Sequence, residues 1–212
     1  MPDRQTQTKK TEVYRRIVRA ATRDFSQKGY AGARMDEIAG RAKVNKATIY
    51  YHIGDKKALY AQVLHDVFGA VADRMAECIH DDHTPEENLK QYVLTLADTI
   101  SNNPFIPPIM MREAASGGKN LPILAIKDFG RMFSTLAGIL DSGHQRGVFR
   151  KVDPIVVHLS ALGPLVLYSR MEKTFRRYAR DPEVVPQEIR LPENIVETVL
   201  ESISNIVKLK KD

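Results

Sequence analysis

The spacing of apolar residues predicts long α-helices through most of the chain. Val13, Ile17, Ala21 and Phe25 recur every four residues, so they share one face of a helix. The strict alternation of apolar and polar residues that marks a half-buried strand is almost absent. We therefore predict an all-α fold of about nine helices, over approximate residues 9–28, 35–42, 46–52, 55–79, 85–101, 109–116, 122–145, 154–177 and 192–210.

Residues with strong capping preferences mark several of the predicted helix boundaries. Asn45 and Asp55 precede the third and fourth helices, and both residue types are favoured N-caps. Thr84 and Glu87 flank a proline in the pattern of a capping box at the start of the fifth helix. Gly29 follows the first helix and is expected to end it.

The two short helices near the N-terminus have the spacing of a helix-turn-helix unit. They are separated by three residues, and Ile38, Ala39 and Ile49 face inward. In such a unit the second helix enters the major groove of DNA. Many other helical hairpins have this spacing, so it needs support from the chemistry of the exposed residues.

Charge is concentrated around this unit. The net charge of the whole chain is +6 (32 basic minus 26 acidic residues). Residues 1–60 hold 14 basic and 6 acidic residues, which gives +8, whereas the rest of the chain has a net charge of −2. A concentrated basic module favours a polyanionic partner such as nucleic acid, the alternative being a solvated basic surface.

The second short helix carries side chains that suit phosphate and base contacts. Hydroxyl, ammonium and imidazole groups follow one another at Lys46, Thr48, Tyr50, Tyr51 and His52. We expect one of the two tyrosines to be structural and the other polar groups to face DNA.

A lysine pair opens the fourth helix. Lys56 and Lys57 lie in its first turn, where positive charge opposes the helix dipole by about 0.3–1 kcal/mol each. A phosphate bound at this helix end would account for them. The alternative is a pair of solvated lysines, which costs little.

Several segments of residues 9–64 together resemble the N-terminal module of the TetR family. They are IVRAATRDF at 17–25, GY at 29–30, MDEIA at 35–39, AKVNKATIYYHI at 42–53 and DKKAL at 55–59. Members are bacterial transcriptional regulators, most of them repressors. The resemblance implies base contacts near Lys46, Ala47 and Tyr50, and phosphate or groove contacts by Thr48, Tyr51, His52 and Lys56.

The sequence departs from the family pattern on both sides of the first short helix. Lys43 stands where glycine is usual, and a left-handed backbone there would cost of order 1 kcal/mol. Arg34 stands where Thr or Ser is common in the family, so the sequence lacks a capping side chain here and gains a further cation. Both side chains are expected to contact DNA phosphates.

The rest of the chain carries no recognisable catalytic motif. It has no P-loop, HExxH or GxSxG sequence, and the glycine-rich stretch at 116–120 follows no predicted strand. Cys78, His80 and His83 lie close together, but we expect a solvated turn between helices. We predict no enzyme activity, no catalytic residue, no cofactor and no metal site.

Two later helices are apolar over more than one face. In the helices at about 154–175 and 192–210, apolar residues such as Leu159, Leu167 and Val199 are too widely distributed for a single buried stripe. A second subunit would cover the excess, and the resemblance implies a dimer through these two helices. A two-fold dimer presents two recognition helices to a palindromic operator.

The resemblance also implies a ligand cavity among the middle helices. Adaptable apolar residues and one histidine are the candidates for lining it, with an ordinary hydrophobic core as the alternative. They are Phe105, Met110, Met111, Phe129, Met132, Phe133 and His158. Arg112 and Glu113 either supply polar anchors or pair with each other.

These features lead to a functional prediction. We expect a DNA-binding domain over 1–54 and a helical ligand-binding and dimerisation domain over 55–212. The protein is predicted to be a repressor that an unknown small molecule releases from a palindromic operator. The alternative is a DNA-binding protein without small-molecule control, acting through a protein partner or DNA architecture.

From the composition we expect a cytoplasmic protein. A single cysteine excludes an internal disulfide, and the polar N-terminus lacks a secretory signal. No apolar run of 18 residues is apparent, so we expect no membrane segment and no membrane partner.

Overall fold

The computed structural model describes residues 4–80, 82–178, 181 and 192–209, and these form nine α-helices. They are α1 (Arg4–Gly32), α2 (Met35–Ala42), α3 (Lys46–His52), α4 (Lys56–Cys78), α5 (Pro85–Asn102), α6 (Ile106–Ala115), α7 (Ile123–Gln145), α8 (Pro154–Tyr178) and α9 (Ile195–Val207). Within the described residues the only β-type pairing is an isolated bridge between Phe149 and Lys208. The predicted all-α fold is confirmed.

The predicted N-caps are present. The Asn45 side chain accepts a hydrogen bond from the Thr48 N–H at 2.7 Å, and Asp55 accepts from the Ala58 N–H at 2.8 Å. Thr84 and Glu87 form both halves of the capping box. These local signals therefore fix the starts of α3, α4 and α5.

Several predicted boundaries differ from the structure. Helix α1 begins at Arg4 instead of residue 9, and α9 spans Ile195–Val207 instead of 192–210. The helix predicted from residue 109 begins at Ile106, because Pro107 and Pro108 occupy its first turn, where a missing N–H costs nothing. Gly29 interrupts α1 as expected, with φ 70° and ψ 175°, but helical structure resumes and continues to Gly32. Most of the segment between the last two predicted helices lies outside the described residues.

The chain divides into two compact units. The first comprises Met1–Ala70 and Pro108–Asp128, and the second comprises Val71–Pro107 and Phe129–Asp212. In the first unit α1 packs on α2, and α2 packs on α3. Its core includes Phe25 and Tyr60, whose ring centroids are 4.7 Å apart at an edge-on angle of 66°.

Helix α6 belongs to the first unit from Pro108 onward, and polar contacts tie it to other helices of that unit. The hydroxyl of Tyr60 on α4 donates to the Glu113 carboxylate at 2.8 Å, and Glu113 is buried. Arg112 donates to the Gln27 carbonyl of α1 at 3.0 Å. Arg112 and Glu113 therefore have separate partners instead of forming the pair that the sequence left open.

The second unit is built around α5, α8 and α9, which pack against one another. Gly143 of α7 lies so close to the Phe149 ring that a Cβ at this position would overlap it. Arg150, in the following linker, donates from its backbone N–H to the Val207 carbonyl at 2.8 Å and from Nε to the Ile206 carbonyl at 2.6 Å. These bonds satisfy carbonyls that the end of α9 leaves without helical partners.

Helix α8 has a feature that the sequence analysis did not anticipate. By length and composition alone, its 25 residues would suffice to cross a membrane. The expectation that the chain has no membrane segment stays a prediction. A row of exposed apolar side chains runs along the helix at a spacing of four, including Ile155, Leu159, Leu167, Met171 and Phe175.

Candidate nucleic-acid interface

The turn between α2 and α3 has the left-handed conformation that the sequence analysis considered. Lys43 has φ 53° and ψ 48°, and its N–H bonds to the carbonyls of Ala39 and Gly40. The Val44 N–H also bonds to the Ala39 carbonyl, at 3.0 Å. The turn thereby satisfies the last carbonyls of α2, while the strained Lys43 projects an exposed side chain.

Helix α3 is held by one buried face and presents the opposite face to solvent. Ile49 is fully buried against the core of the first unit, and Ala47 is exposed. Tyr50 and Tyr51 are 49% and 76% exposed. The expectation that one tyrosine is structural is therefore wrong, because Ile49 already fills the inward position of this short helix.

Polar side chains of α3 have weak or local partners. Lys46 pairs with Asp36 at 3.1 Å, and both side chains are exposed, so the pair contributes about 0–1 kcal/mol and is readily exchanged. The Thr48 hydroxyl donates to Asn45 at 2.7 Å, as part of the cap. The His52 ring packs edge-on against Tyr51 at 5.2 Å.

Lys56 lies where α1 ends and α4 begins. Its ammonium donates to the Ala31 carbonyl at 3.1 Å and is 4.9 Å from the centroid of the Tyr30 ring. Burial lowers the pKa of this ammonium. Because an ammonium has three donors, the contact with Ala31 leaves donors for an anion at this helix end.

Arg34 is exposed and precedes α2 in an extended conformation. No side chain caps the N-terminus of α2 at this position. The sequence predicted this loss of a cap, and the exposed guanidinium is available for external contacts.

The predicted ligand-binding residues are distributed over both units. Phe105 and Met111 are 41% and 39% exposed, and Met110 is half-buried in the first unit. Phe133 and His158 do meet in the second unit, with ring centroids 4.8 Å apart. Met132 is buried and Phe129 is half-buried in the same unit.

A buried tyrosine accompanies His158 and was not expected from sequence. The Tyr92 hydroxyl lies 2.7 Å from the Nδ1 atom of His158, and both residues are buried. Burial lowers the pKa of His158 to about 4, so the ring is neutral at physiological pH. The two residues are 66 positions apart, so no local pattern predicts their contact.

The histidine-rich turn after α4 contains no metal-binding cluster in the described part of the chain. His80 and His83 pack edge-on, with ring centroids 5.1 Å apart. The side chain of Cys78 lies outside the described residues.

Comparison with known proteins identifies both parts of the chain. Residues 17–63 match the family model described as bacterial regulatory proteins, tetR family. Residues 85–199 match the tetracyclin repressor-like C-terminal domain model. The second match alone covers more than half of the chain.

Curated relatives show partial similarity. The HTH-type transcriptional repressor NicS of Pseudomonas putida is 29% identical over 140 residues, which are 63% of this chain and 64% of that protein. The A-factor receptor protein of Streptomyces griseus is 27% identical over 157 residues, which are 71% of this chain and 51% of that protein. The matched segments thus span less than two thirds of either relative.

Solved structures share the fold over nearly the whole chain. FadR from Bacillus subtilis, in complex with stearoyl-CoA, has a TM-score of 0.68 and 20% identity over 91% of this chain and 98% of that chain. A HlyIIR mutant protein has a TM-score of 0.67 and 21% identity, covering 96% of this chain and 99% of that chain.

Proposed function

Because the chain belongs to the TetR family of bacterial regulatory proteins, we propose that it is a sequence-specific DNA-binding transcriptional regulator. It represses transcription by binding a palindromic operator in the bacterial cytoplasm, and a small molecule releases it from this DNA. The observation that carries this proposal is α3 itself. Asn45 caps the helix, Ile49 anchors it, and its opposite face presents exposed tyrosine and lysine side chains.

The exposed residues have two roles in this proposal. Lys46, Ala47 and Tyr50 contact base edges, which carry sequence information. The other residues contact phosphates or the groove, and phosphate contacts position the protein without reading sequence. This second group comprises Arg34, Lys43, Thr48, Tyr51, His52 and Lys56.

A comparison of lysine variants tests this division. Lys46→Ala is expected to change base preference, because Lys46 can exchange its exposed ion pair with Asp36 for a contact with a base. Lys56→Ala is expected to weaken operator and scrambled duplexes by similar factors, since it removes a phosphate contact. Lys127→Ala, at an exposed lysine of α7 in the same unit, serves as the matched control. Fluorescence anisotropy titrations on both duplexes measure the effects, and identical losses for Lys46→Ala on both would contradict its role.

We infer a homodimer from the exposed apolar row on α8. Leu159 and Leu167 are 58% and 49% exposed on a helix whose other face is buried against α5 and α9. A second copy covering this row brings two recognition helices to one palindrome. Leu159→Glu should give a monomer in sedimentation equilibrium with much weaker operator binding, whereas exposed Lys173→Glu should remain dimeric. A dimeric Leu159→Glu variant would contradict this interface.

The ligand-responsive part of the proposal centres on the second unit. Tyr92, Phe133 and His158 combine an apolar surface with a neutral polar group, a composition that suits a largely apolar ligand with one polar contact. The stearoyl-CoA bound to FadR gives one chemical class to test first. In this proposal, 55–212 binds the ligand and forms the dimer, and 1–54 binds DNA together with Lys56.

Helix α4 is the proposed link between ligand and DNA. Its Tyr60 holds the buried Glu113 of α6, and its Lys56 contacts the end of α1. Tyr60→Phe removes the hydroxyl donor and is expected to alter ligand-induced release of DNA without changing base preference. Operator titrations with and without stearoyl-CoA measure this coupling. An unchanged ligand response in the variant would contradict the role of the contact.

A further inference from the structure

A basic cleft in the first unit lies beside the helix-turn-helix turn. Its volume is about 400 Å³, and two buried alanines form part of its wall. The basic residues lining it, which we call the arginine cleft, are Arg16, Arg19, Arg23, Arg41 and Lys43. Three come from α1 and two from the end of α2 and its turn.

Most of the positive charge in the arginine cleft is uncompensated. Arg41 is paired with Asp24, whose Oδ1 accepts from Nε at 3.0 Å and lies 2.9 Å from Nη2. Asp24 is fully buried beside Arg41, so its carboxylate pairs with Arg41 and not with the other cations of the cleft. In the described part of the chain, no hydrogen bond or ion pair engages the side chains of Arg16, Arg19, Arg23 or Lys43.

The spacing of these cations matches a DNA backbone. Arg16 and Arg23 are seven residues apart on α1, which is about 10.5 Å along the helix axis, and Arg19 lies between them. Successive phosphates of one DNA strand advance by about 3.4 Å along the duplex axis, so the row is as long as about three base-pair steps. Guanidinium groups are well suited to such contacts because they bind phosphate oxygens through two N–H donors.

The arginine cleft is also close to the start of α3. Lys43 lines the cleft and precedes Lys46 by three residues, a separation of at most about 11 Å. A duplex seated on α3 therefore passes within a few phosphates of the cleft. The cleft and α3 can engage the same DNA molecule.

We propose that the arginine cleft binds DNA phosphates at the edge of the half-site that α3 reads. It supplies affinity that does not depend on sequence and extends the contacted length of DNA. This inference rests on the proposed function, because it assumes that α3 docks on a duplex.

A charge-removal variant tests the inference. Arg19→Gln/Arg23→Gln removes two cationic groups that have no hydrogen-bond or ion-pair partner among the described residues, and it leaves the Arg41 pair with Asp24 intact. The matched control, Arg146→Gln/Arg177→Gln, removes two exposed arginines of the second unit. Binding is measured by anisotropy on an operator obtained by random-pool selection and on a scrambled duplex, over a range of salt concentrations.

The cleft variant should lose affinity by a similar factor on both duplexes, about tenfold near physiological salt. Its plot of log K against log salt should become shallower by about 2, since each lost phosphate contact removes about 0.9 from the slope. Arg19→Lys/Arg23→Lys should retain the slope, and the control should match the wild type. Hydroxyl-radical footprints should lose protection at edge phosphates only.

Other results would overturn the inference. An unchanged slope for both the cleft variant and a second variant, Arg16→Gln/Arg23→Gln, means that the cleft does not bind DNA. A loss confined to the operator means that the arginines affect base readout. If the wild type has no preferred sequence, the proposed function fails, but the salt slope on the scrambled duplex still tests the cleft.

Discussion

Replacing Lys43 by glycine or by alanine separates the conformational cost of this residue from its charge. Its φ of 53° lies in the left-handed region, where an L-residue costs roughly 1–2 kcal/mol. Glycine removes this strain, but its greater conformational freedom in the unfolded chain lowers the free energy of unfolding by about 0.4–1 kcal/mol. Alanine keeps the strain, and both variants lose the ammonium.

The difference between the two variants follows from these terms. Lys43→Gly is expected to be more stable than Lys43→Ala by about 1 kcal/mol, once the relieved strain is set against the added unfolded-state entropy. Urea unfolding followed by circular dichroism measures this difference. Because neither variant has the charge, both should bind DNA more weakly, with a salt slope reduced by about 1.

Two outcomes would refute this reasoning. A glycine variant that is less stable than the alanine variant by about 0.4–1 kcal/mol would mean that the turn imposes no strain on Lys43, because only the unfolded-state entropy would then separate the two. Restoration of DNA affinity by glycine but not by alanine would mean that backbone conformation, and not charge, controls binding at this position.

Further predictions concern stability. Asn45→Ala removes the α3 cap and should lower the free energy of unfolding, measured with urea, by about 1 kcal/mol. Asn45→Asp should retain most of the stability that the cap provides. Gly143→Ala places a methyl group against the Phe149 ring and should lower the free energy of unfolding by about 1–3 kcal/mol in the same measurement. Gly130→Ala should not lower it, because a Cβ at Gly130 meets open space. The pKa of His158 is lowered to about 4, so between pH 6.5 and 4 the unfolded chain binds a proton that the folded chain does not. The free energy of unfolding should therefore be about 2 kcal/mol lower at pH 5 than at pH 7, and His158→Gln should reduce this dependence. A pH-independent wild type would contradict the burial of a neutral ring.

The features that sequence predicts well are governed by residues close together in the chain. The caps at Asn45 and Thr84 act over three residues, and the inward position of Ile49 follows from helical periodicity. Helix type and most boundaries could therefore be predicted. The first turn of α6 was missed because proline usually breaks a helical pattern, although Pro107 and Pro108 are compatible with a first turn.

Contacts between distant residues could not be predicted in the same way. Tyr60 and Glu113 are 53 positions apart, and only the packing of α6 into the first unit brings them together. The exposure of both Tyr50 and Tyr51 depends on how fully Ile49 fills the inward position. The arginine cleft likewise needs the placement of α1 beside the end of α2, which periodicity alone does not give.

Selection from a random duplex pool at near-physiological salt tests the central claim most directly. A dimer that presents two copies of α3 should enrich a palindrome, with half-sites about one helical turn apart. The same protein with Lys46→Ala should enrich an altered half-site. Enrichment of no sequence, with only salt-sensitive binding to all duplexes, would contradict the proposal that α3 reads bases.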